Sequence, residues 1–523
     1  MSFRLTYATM FNPPEAMHER FEAALADVIG GLGARHDLFI DGRDVPARAH
    51  VTRATPSDLD RQLGDFPLAV PADVDAAMRA AKLAFPAWRA LHGSERVRLV
   101  RRIGELLEAR VYAIAAALSL EVGKNRMEAL GEAQETAEFF SHYADDFESH
   151  GGFDHALPND PLPGVVSRNR SVMRPYGVWI VIAPFNFPLA LAGGPVAAAL
   201  VTGNTVVVKG ASDTPWAGRL LADCVRDAGL PPGVFNYLSG SGGEIGAALA
   251  AHSLTAGITF TGSAAVGMQL LRQMTTGAWP RPCIAEMGGK NPCIVTAHAD
   301  LDAAAAGIIR SAFGMGGQKC SALSRLYVED PVADALLDRL KHQMSALRIG
   351  DPSRRENWLG PVVNRTAYEN HARHVAALRT DGGRVLHGGE RVTAVAGARG
   401  YYVTPALAEA PLSHSLWRHE MFLPILMLHR VRDRDEAMRL ANDSDMGLTA
   451  GFYGAAEEVP WFQEHIEAGV TYANRPQGAT TGAWPGYQPF GGWKGSGSSG
   501  KAIASFYYLA QYQREQSRTV VVE

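Results

Sequence analysis

Three side chains in this sequence combine into a set that could carry out covalent chemistry. Cys320 follows the glycine-rich stretch "GMGG", where small neighbours would let another molecule approach its sulfur. Glu286 stands in an apolar strand pattern, and burial raises the pKa of a carboxyl group toward that of a general base. Asn186 places a lone amide in the apolar run "APFNFP". Each has an ordinary structural explanation alone, but together they provide a nucleophile, a base and an oxyanion donor.

Glycine-rich junctions between strands and helices predict a dinucleotide site. Gly242 and Gly246 lie in "SGSGGEIG", whose spacing differs from the GxGxxG fingerprint, so a tight turn is the alternative. Gly262 and Ser263 stand at the next junction, where exposed backbone N–H groups favour a phosphate. Lys209 ends the strand pattern "VVVKG" and would place a cation at the carboxyl edge of the sheet, unless it is a surface lysine.

The elements that must position these residues follow an alternating pattern. The strand patterns "GVWIVIAP", "NTVVVKG", "GVFNYLSG" and "AGITFTGS" alternate with helical patterns, which predicts an α/β fold with a parallel sheet. A second alternating series runs over residues 287–475 and would carry the thiol. We expect the N-terminal helices and a dinucleotide-binding domain over 1–166 and 178–286, and a loop at the site over 476–499. A cleft between two such halves is the expected ligand site.

Two segments fit neither half. Residues 167–177 and 500–523 contain strand-like stretches with polar alternation. Exposed strand edges usually find a partner. We therefore predict that these segments drive formation of a homodimer or a higher homo-oligomer, with a surface hairpin as the alternative.

The composition argues against several kinds of partner. The 523 residues include 50 Lys and Arg against 54 Asp and Glu, a formal charge of −4, which disfavours nucleic acid or an anionic membrane as the main partner. The stretch 177–208 is uncharged and long enough to span a bilayer. Its prolines and glycine pair instead favour a buried strand, helix and strand, so we expect no membrane partner.

The cysteines and histidines indicate neither disulfides nor a metal. Four scattered cysteines without a CxxC pair are typical of a reducing compartment, so we predict a cytoplasmic protein. The N-terminal sequence has no continuous apolar core, so we expect no signal peptide. His371 and His374 form an HxxH pattern without other ligands nearby in sequence, and we interpret it as a solvated helix face and expect no metal.

The motifs, taken together, resemble those of the aldehyde dehydrogenase superfamily. "PFNFP", "TGNTVVVK", "FTGS", "EMGGKNP", "GQKCSA", "EMFLP" and "PFGGWKGSG" occur in that family's order and near its spacings, from about residue 38 to 515. The resemblance implies a Rossmann-like cofactor domain, an α/β catalytic domain and a β oligomerisation hairpin. It also implies that Cys320 is the nucleophile, Glu286 the general base and Asn186 an oxyanion donor.

The same resemblance implies a nicotinamide cofactor, with Lys209 and Glu420 on its two riboses and Phe422 near the nicotinamide. Ser212 stands where many NAD-specific members carry a glutamate, so NADP also fits. Leu423 stands where the family commonly has glycine. This difference affects the expected backbone conformation near the nicotinamide ribose. The full set implied for the cofactor is Ile182, Ala183, Pro184, Phe185, Lys209, Ser212, Gly242, Gly246, Thr261, Gly262, Ser263, Met287, Glu420 and Phe422.

The C-terminal stretch "YANRPQGATTGAWPGYQPFGGWKGSG" is similar to the substrate loop of the 1-pyrroline-5-carboxylate dehydrogenase branch, although it has about three more residues before Thr481 than many members. That branch oxidises L-glutamate γ-semialdehyde. The similarity implies that a Thr-Gly-Ala turn and a serine hold the substrate carboxylate, and that Glu135 meets its ammonium. The substrate residues implied are Phe185, Ser321, Gly482, Ala483 and Phe490.

Four alternatives stay open at this point. Another acidic semialdehyde, such as succinate semialdehyde, is the second candidate substrate. A CoA-acylating relative is disfavoured because Glu286 is present to activate water. A non-catalytic binding protein would have lost the thiol or the base, and a cofactor-free cysteine hydrolase would need a histidine, which the sequence near Cys320 lacks.

Overall fold

The computed structural model describes residues 4–7 and 9–522 of the chain. The helices in these residues are α1 Glu15–Gly30, α2 Pro71–Ala90, α3 Gly93–Ala109, α4 Val111–Val122, α5 Arg126–Ser149, α6 Ala190–Val201, α7 Pro215–Asp227, α8 Ala247–Ala251, α9 Ala264–Met274, α10 Leu301–Phe313, α11 Asp330–Ser345, α12 Arg365–Thr380, α13 Arg434–Asn442 and α14 Val459–His465.

The strands of the described residues belong to two seven-stranded sheets, two three-stranded sheets and two short pairs. They are β1 Ala34–Arg35, β2 Leu38–Ile40, β3 Arg43–Val45, β4 Ala49–Thr55, β5 Asp58–Leu68, β6 Asp154–Leu157, β7 Ser167–Pro175, β8 Val178–Ile182, β9 Thr205–Lys209, β10 Phe235–Leu238, β11 Thr255–Thr261, β12 Cys283–Glu286, β13 Asn291–Val295, β14 Leu323–Glu329, β15 Arg384–Gly388, β16 Arg391–Val392, β17 Tyr402–Val403, β18 Ala406–Glu409, β19 Ile425–Val431, β20 Met446–Gly447, β21 Thr449–Tyr453, β22 Val470–Ala473, β23 Trp493–Lys494 and β24 Gln513–Val521.

The first large sheet has the order β12-β11-β8-β9-β10-β2-β3, with β8 to β12 parallel. The uncharged stretch of the sequence forms β8, α6 and β9, which are almost wholly buried. Strands covered on both faces need apolar side chains throughout, which explains the missing charges. Among the described helices, none combines the length and apolarity needed to cross a bilayer. The α/β fold with a parallel sheet is confirmed.

The second large sheet has the order β15-β18-β19-β14-β13-β21-β22 and is parallel apart from β15. Strand β12 of the first sheet ends at Glu286, and β13 of the second begins at Asn291. The short connection containing Gly288 and Gly289 therefore joins the two sheets. The carboxyl ends of the central parallel strands of the first sheet face this connection, which is where an α/β fold places its ligand.

The two segments that fit neither half pair with each other. Strand β7 runs antiparallel to β24, from Ser167 opposite Val521 to Pro175 opposite Gln513. Strand β6 adds a third strand on the other side of β7, an element that the sequence did not predict. Several apolar side chains on the outer strands of this sheet are exposed, including Leu157 and Val520. Its role in oligomer formation stays a prediction.

The HxxH pattern does not form a solvated face. His371 and His374 are 0% and 8% exposed, and burial lowers the pKa of each to about 4, so both are neutral. The interpretation was wrong because Val375 and Leu378, four and seven positions after His371, place this side of α12 against the apolar core. The described residues contain no cluster of three or more metal-ligating side chains.

Candidate active site

Cys320 lies where two cavities meet. The larger cavity opens over the carboxyl ends of β8, β9 and β11, and the smaller cavity lies beside α5 and the loop 476–499. Cys320 lines both cavities. One sulfur atom can therefore be reached by two different molecules from two directions.

A left-handed turn brings Cys320 to this junction. Met315, Gly316 and Gly317 have φ angles of 54°, 63° and 66°, in the region where glycine is least strained. A Cβ on Gly317 would lie 2.4 Å from the carbonyl oxygen of Leu423. The glycines therefore shape the turn and let it pack against another backbone segment, while access to the sulfur comes from the two cavities.

The loop that carries the thiol is anchored by Asn291. Its Nδ2 donates to the carbonyl oxygens of Cys320 and Ala322, each at 2.8 Å, and its Oδ1 accepts from the N–H of Thr449 at 3.0 Å. Asn291 is 1% exposed, so these bonds are shielded from water. The sequence analysis missed this residue, although a polar side chain at the start of a buried strand was a usable signal.

Burial determines the protonation states of the thiol and the nearby carboxyl group. Burial raises the pKa of Cys320 to about 12, and the carboxylates of Glu420 and Glu286 act in the same direction. Burial raises the pKa of Glu286 to about 8, against a hydrogen bond from the backbone N–H of Gly492. The thiol is thus protonated at neutral pH and must lose its proton before it can attack. A carboxyl group with a pKa near the working pH is suited to take a proton from water.

Glu286 and Asn186 are both buried, and Glu286 lies close enough to Cys320 to act on the pKa of its thiol, although it lines neither cavity. Glu286 is 5% exposed, and its Oε2 has no hydrogen-bond partner within the described chain. Asn186 lines the larger cavity, and its Nδ2 donates to the carbonyl oxygen of Gln318 at 3.0 Å. Because an amide nitrogen carries two hydrogens, one remains to stabilise a negative oxygen formed next to Cys320.

Each of the residues implied for a cofactor lines the larger cavity: Ile182, Ala183, Pro184, Phe185, Lys209, Ser212, Gly242, Gly246, Thr261, Gly262, Ser263, Met287, Glu420 and Phe422. Two helical segments begin at its wall, the π-helical turn Gly242–Gly246 that continues into α8, and α9 after Ser263. Neither N-terminus is capped by a side-chain hydrogen bond. Their backbone N–H groups therefore suit an anion such as a pyrophosphate.

Lys209 and Glu420 supply a donor and an acceptor to the larger cavity. Lys209 Nζ donates to Ser212 Oγ at 3.4 Å, and burial lowers the lysine pKa to about 8. Glu420 accepts from the N–H of Gly289 at 2.9 Å, and a Cβ on Gly288 would meet its Oε2 at 2.0 Å. Two ribose diols and a pyrophosphate would match this combination, so a dinucleotide fits the cavity.

Phe185 belongs to the larger cavity only. Its ring packs edge-on against Phe422 at 5.6 Å, and Phe422 has a left-handed φ of 56°. The smaller cavity is lined instead by Phe187. The expectation that Phe185 forms a substrate wall is therefore corrected: the chain bends through residues 185–187, which sends the two rings into different cavities. Leu423 is buried in the apolar core, so the side chain that replaces glycine is accommodated.

The smaller cavity is lined by the other residues implied for the substrate, Ser321, Gly482, Ala483 and Phe490. Arg475 Nη1 donates to the carbonyl oxygen of Thr481 at 2.6 Å. Because the C=O and N–H of a trans peptide point in opposite directions, this bond turns the N–H of Gly482 away from Arg475. Gly482 has a φ of 122°, and a Cβ there would lie 2.2 Å from Arg475 Nη1, so only glycine fits.

The first residues of the loop 476–499, before Thr481, are hydrogen-bonded to α10. Arg310 Nη1 donates to the carbonyl oxygen of Pro476 at 3.0 Å, and the N–H of Thr480 donates to Ser311 Oγ at 3.0 Å. Thr480 Oγ1 donates to the carbonyl oxygen of Ser321 at 2.7 Å. The loop is thus bonded directly to the residue that follows Cys320.

Charged side chains of α5 complete the smaller cavity. Glu128 and Glu135 line it, as does Lys319, whose Nζ lies 3.0 Å from Glu128 Oε1. Glu128 and Lys319 were not predicted from the sequence. A lysine directly before Cys320, and acidic residues spaced along one helix face, were signals that could have indicated them.

A buried ion pair supports this wall from behind. Lys124 and Glu132 are both fully buried and paired. Lys124 Nζ lies 3.5 Å from the centre of the Phe187 ring, and Glu132 Oε1 accepts from the N–H groups of Leu189 and Ala190 at 2.9 and 3.2 Å. The pair therefore holds α5, Phe187 and the start of α6 in one arrangement.

Comparisons with known proteins agree with this geometry. The sequence model described as "Aldehyde dehydrogenase family" matches residues 45–517. The chain is 33% identical to the 1-pyrroline-5-carboxylate dehydrogenase of Geobacillus sp. (strain WCH70), and 34% identical to that of Geobacillus thermodenitrificans (strain NG80-2). Each match covers 505 residues, 95% of this chain and 96% of the relative. The crystal structure of 1-pyrroline-5-carboxylate dehydrogenase from Thermus with bound NAD superposes with a TM-score of 0.93 at 32% identity, covering 99% of both chains.

Proposed function

Because the chain belongs to the aldehyde dehydrogenase family, we propose that it oxidises L-glutamate γ-semialdehyde, which forms from 1-pyrroline-5-carboxylate, to L-glutamate with NAD. The observation that carries the proposal is the position of Cys320 between two cavities. One cavity fits a dinucleotide, and the other offers groups for both charged ends of an amino acid.

The first chemical step uses the thiol. The thiol proton passes to water in the cavities that Cys320 lines, and the sulfur attacks the aldehyde carbon and forms a thiohemiacetal. The aldehyde oxygen becomes negative in this step, and the side-chain N–H of Asn186 that is not bonded to Gln318 stabilises it. Asn186 is buried, and a hydrogen-bond donor in a buried site stabilises a negative charge more strongly than a donor in water does.

The larger cavity would hold the oxidant. NAD bound there would supply the hydride acceptor that converts the thiohemiacetal on Cys320 to a thioester. Lys209 and Glu420 would hold its two riboses, and the uncapped N-termini at Gly242 and after Ser263 would hold its pyrophosphate. Because Cys320 lines the same cavity, these groups would keep the cofactor beside the thiol.

Glu286 completes the cycle. Its carboxylate takes a proton from the water that attacks the thioester, which releases glutamate and restores the thiol. The pKa of about 8 produced by burial makes Glu286 a stronger base than an exposed glutamate. The same shift means that it is ionised in only part of the molecules at neutral pH.

The smaller cavity recognises the remote end of the substrate. The hydroxyl of Ser321, the turn at Gly482 and Ala483, and the ammonium of Lys319 converge on the α-carboxylate, while Glu135 receives the α-ammonium. Each charge-assisted hydrogen bond of this kind contributes roughly 1.5–3 kcal/mol. A plain aldehyde would leave these groups unpaired.

The protein is further proposed to act as a cytoplasmic homo-oligomer. The sheet of β6, β7 and β24 presents exposed edges and apolar side chains that a second copy would cover. The cysteines are free thiols, and the proposed chemistry requires that Cys320 remain reduced. In this arrangement residues 1–166 and 178–286 form the N-terminal helices and the dinucleotide-binding domain, 287–475 carry the thiol, and 476–499 form the substrate loop.

The function is tested by NADH formation with glutamate γ-semialdehyde, succinate semialdehyde and pentanal under matched conditions. We expect kcat/KM for pentanal to be lower by roughly two or more orders of magnitude, since it lacks the carboxylate. Ser321→Ala should narrow that gap by affecting the true substrate more than pentanal. Equal activity on pentanal would contradict the carboxylate site, and a preference for succinate semialdehyde would assign a different substrate.

A further inference from the structure

The N-terminal segment forms part of the smaller cavity. Residues 4–7 and 9–14 precede α1. Arg4 and Tyr7 bond to side chains of α5, and Tyr7, Met10 and Phe11 line the same cavity as Cys320. Phe11 covers the guanidinium of Arg310, which lies 3.6 Å from the ring centre. A segment outside both large sheets therefore reaches the reaction chamber.

Tyr7 makes the most specific contact of this segment. Its hydroxyl donates to Glu135 Oε2 at 2.6 Å. Its ring packs edge-on against Trp484 at 5.1 Å and Phe187 at 6.4 Å. A Cβ on Gly131 would lie 2.7 Å from Tyr7 Cε1, so the absence of a side chain on this turn of α5 makes room for the ring.

A second contact joins the same three parts of the chain. Glu138 accepts from Arg4 Nη2 at 2.5 Å and from Trp484 Nε1 at 2.7 Å. Arg4 is largely exposed, so its pair contributes little to stability, whereas Trp484 is 1% exposed. The N-terminal segment, α5 and the substrate loop thus meet around Glu135 and Glu138.

We propose, on the basis of the proposed function, that Tyr7 is a positioning residue for the substrate's α-ammonium, because its hydroxyl bonds the Glu135 carboxyl group and holds it at the wall of the smaller cavity. The N-terminal segment then determines the preference for a semialdehyde with an α-amino group over one without it. Glu135 contacts the substrate, and Tyr7 acts through Glu135.

The electrostatic surroundings of Glu135 explain why such a partner matters. Burial raises the pKa of Glu135 to about 8, and Glu132 and Glu138 on the same helix add to that rise. The hydrogen bond from Tyr7 and the charge of Lys124 act in the opposite direction. Without the hydroxyl, Glu135 is protonated more readily, and a protonated carboxyl group attracts an ammonium poorly.

The test compares two substrates that differ only in the amino group, glutamate γ-semialdehyde and 5-oxopentanoate. Tyr7→Phe keeps the ring and removes the hydroxyl. We expect kcat/KM for glutamate γ-semialdehyde to fall about tenfold or more, mainly through KM, as for the loss of a hydrogen bond to a charged group. The value for 5-oxopentanoate should change less than about twofold. Tyr507→Phe, an exposed tyrosine, is the matched control and should alter neither value.

Two further variants separate positioning from mere packing. In a Glu135→Gln background, Tyr7→Phe should have almost no additional effect, because the two groups act as one unit. Gly131→Ala should displace the Tyr7 ring and reproduce the selective loss, and it provides the same comparison if Tyr7→Phe yields no folded protein. Equal losses on both substrates, or no loss, would overturn the proposal. A wild-type enzyme that does not prefer glutamate γ-semialdehyde to 5-oxopentanoate would instead contradict the proposed function itself.

Discussion

Replacement of Glu286 by glutamine is expected to separate the two halves of the reaction. The substitution removes the base and retains a side chain of the same size in a site that is 5% exposed. If Glu286 mainly activates the hydrolytic water, the first hydride transfer survives and thioester hydrolysis slows. General-base catalysis contributes typically 10²–10⁴-fold, so steady-state turnover should fall by about that factor.

The raised pKa of Glu286 gives the wild-type enzyme a characteristic pH dependence. A carboxyl group with a pKa of about 8 is ionised in roughly a tenth of molecules at pH 7 and roughly nine tenths at pH 9. Only the ionised form can take a proton from water. Where hydrolysis limits the rate, turnover should rise about tenfold between these pH values, and Glu286→Gln should not show that rise.

The assay is stopped-flow measurement of NADH formation, followed into the steady state. Glu286→Gln should give a burst of about one NADH per active site and then slow turnover. Glu464→Gln, at an exposed position, is the control and should behave as the wild type. If the first turnover slows as much as the steady state, with no burst, Glu286 acts before hydride transfer and the reasoning is refuted.

Three other substitutions follow from the same site. Cys320→Ala should retain NAD binding, measured by calorimetry, and lose oxidation by several orders of magnitude, as for other nucleophile deletions; substantial remaining turnover would exclude this residue. Ser212→Glu should weaken NADP binding selectively, since a carboxylate repels a 2′-phosphate and accepts from a ribose diol; equal effects on both cofactors would place Ser212 away from that ribose. Arg475→Met should remove the hydrogen bond to the Thr481 carbonyl. KM for glutamate γ-semialdehyde should then rise about tenfold, without a comparable rise for pentanal. An equal effect on both substrates would show a general loss of loop structure.

The parts of the structure that local sequence determines could be predicted. An uncharged run of β-branched and small residues has few options other than β8, α6 and β9 at the centre of a sheet. The residues implied for the cofactor stand at the carboxyl ends of parallel strands, so they line one cavity once the sheet forms. The fold and the family were therefore accessible from the sequence.

Features that depend on which distant segments meet could not be predicted. His371 was interpreted as solvated because no acidic or cysteine ligand pattern accompanies it, but α12 packs on β15 and β17 and His371 is buried. Phe185 and Phe187 are separated by a bend that their similar surroundings do not reveal. Tyr7 lies 128 positions from Glu135, and no local pattern indicates such a contact.

The most direct test of the central claim, that one thiol serves both cavities, is to identify the covalent intermediate. Glu286→Gln should be mixed with NAD and glutamate γ-semialdehyde, quenched in acid after one turnover, and examined by intact mass and peptide mapping. We predict a glutamyl adduct on Cys320 that forms only when both compounds are present and that is absent from Cys320→Ala. An adduct on another residue, or NADH formation with no covalent adduct, would contradict the account.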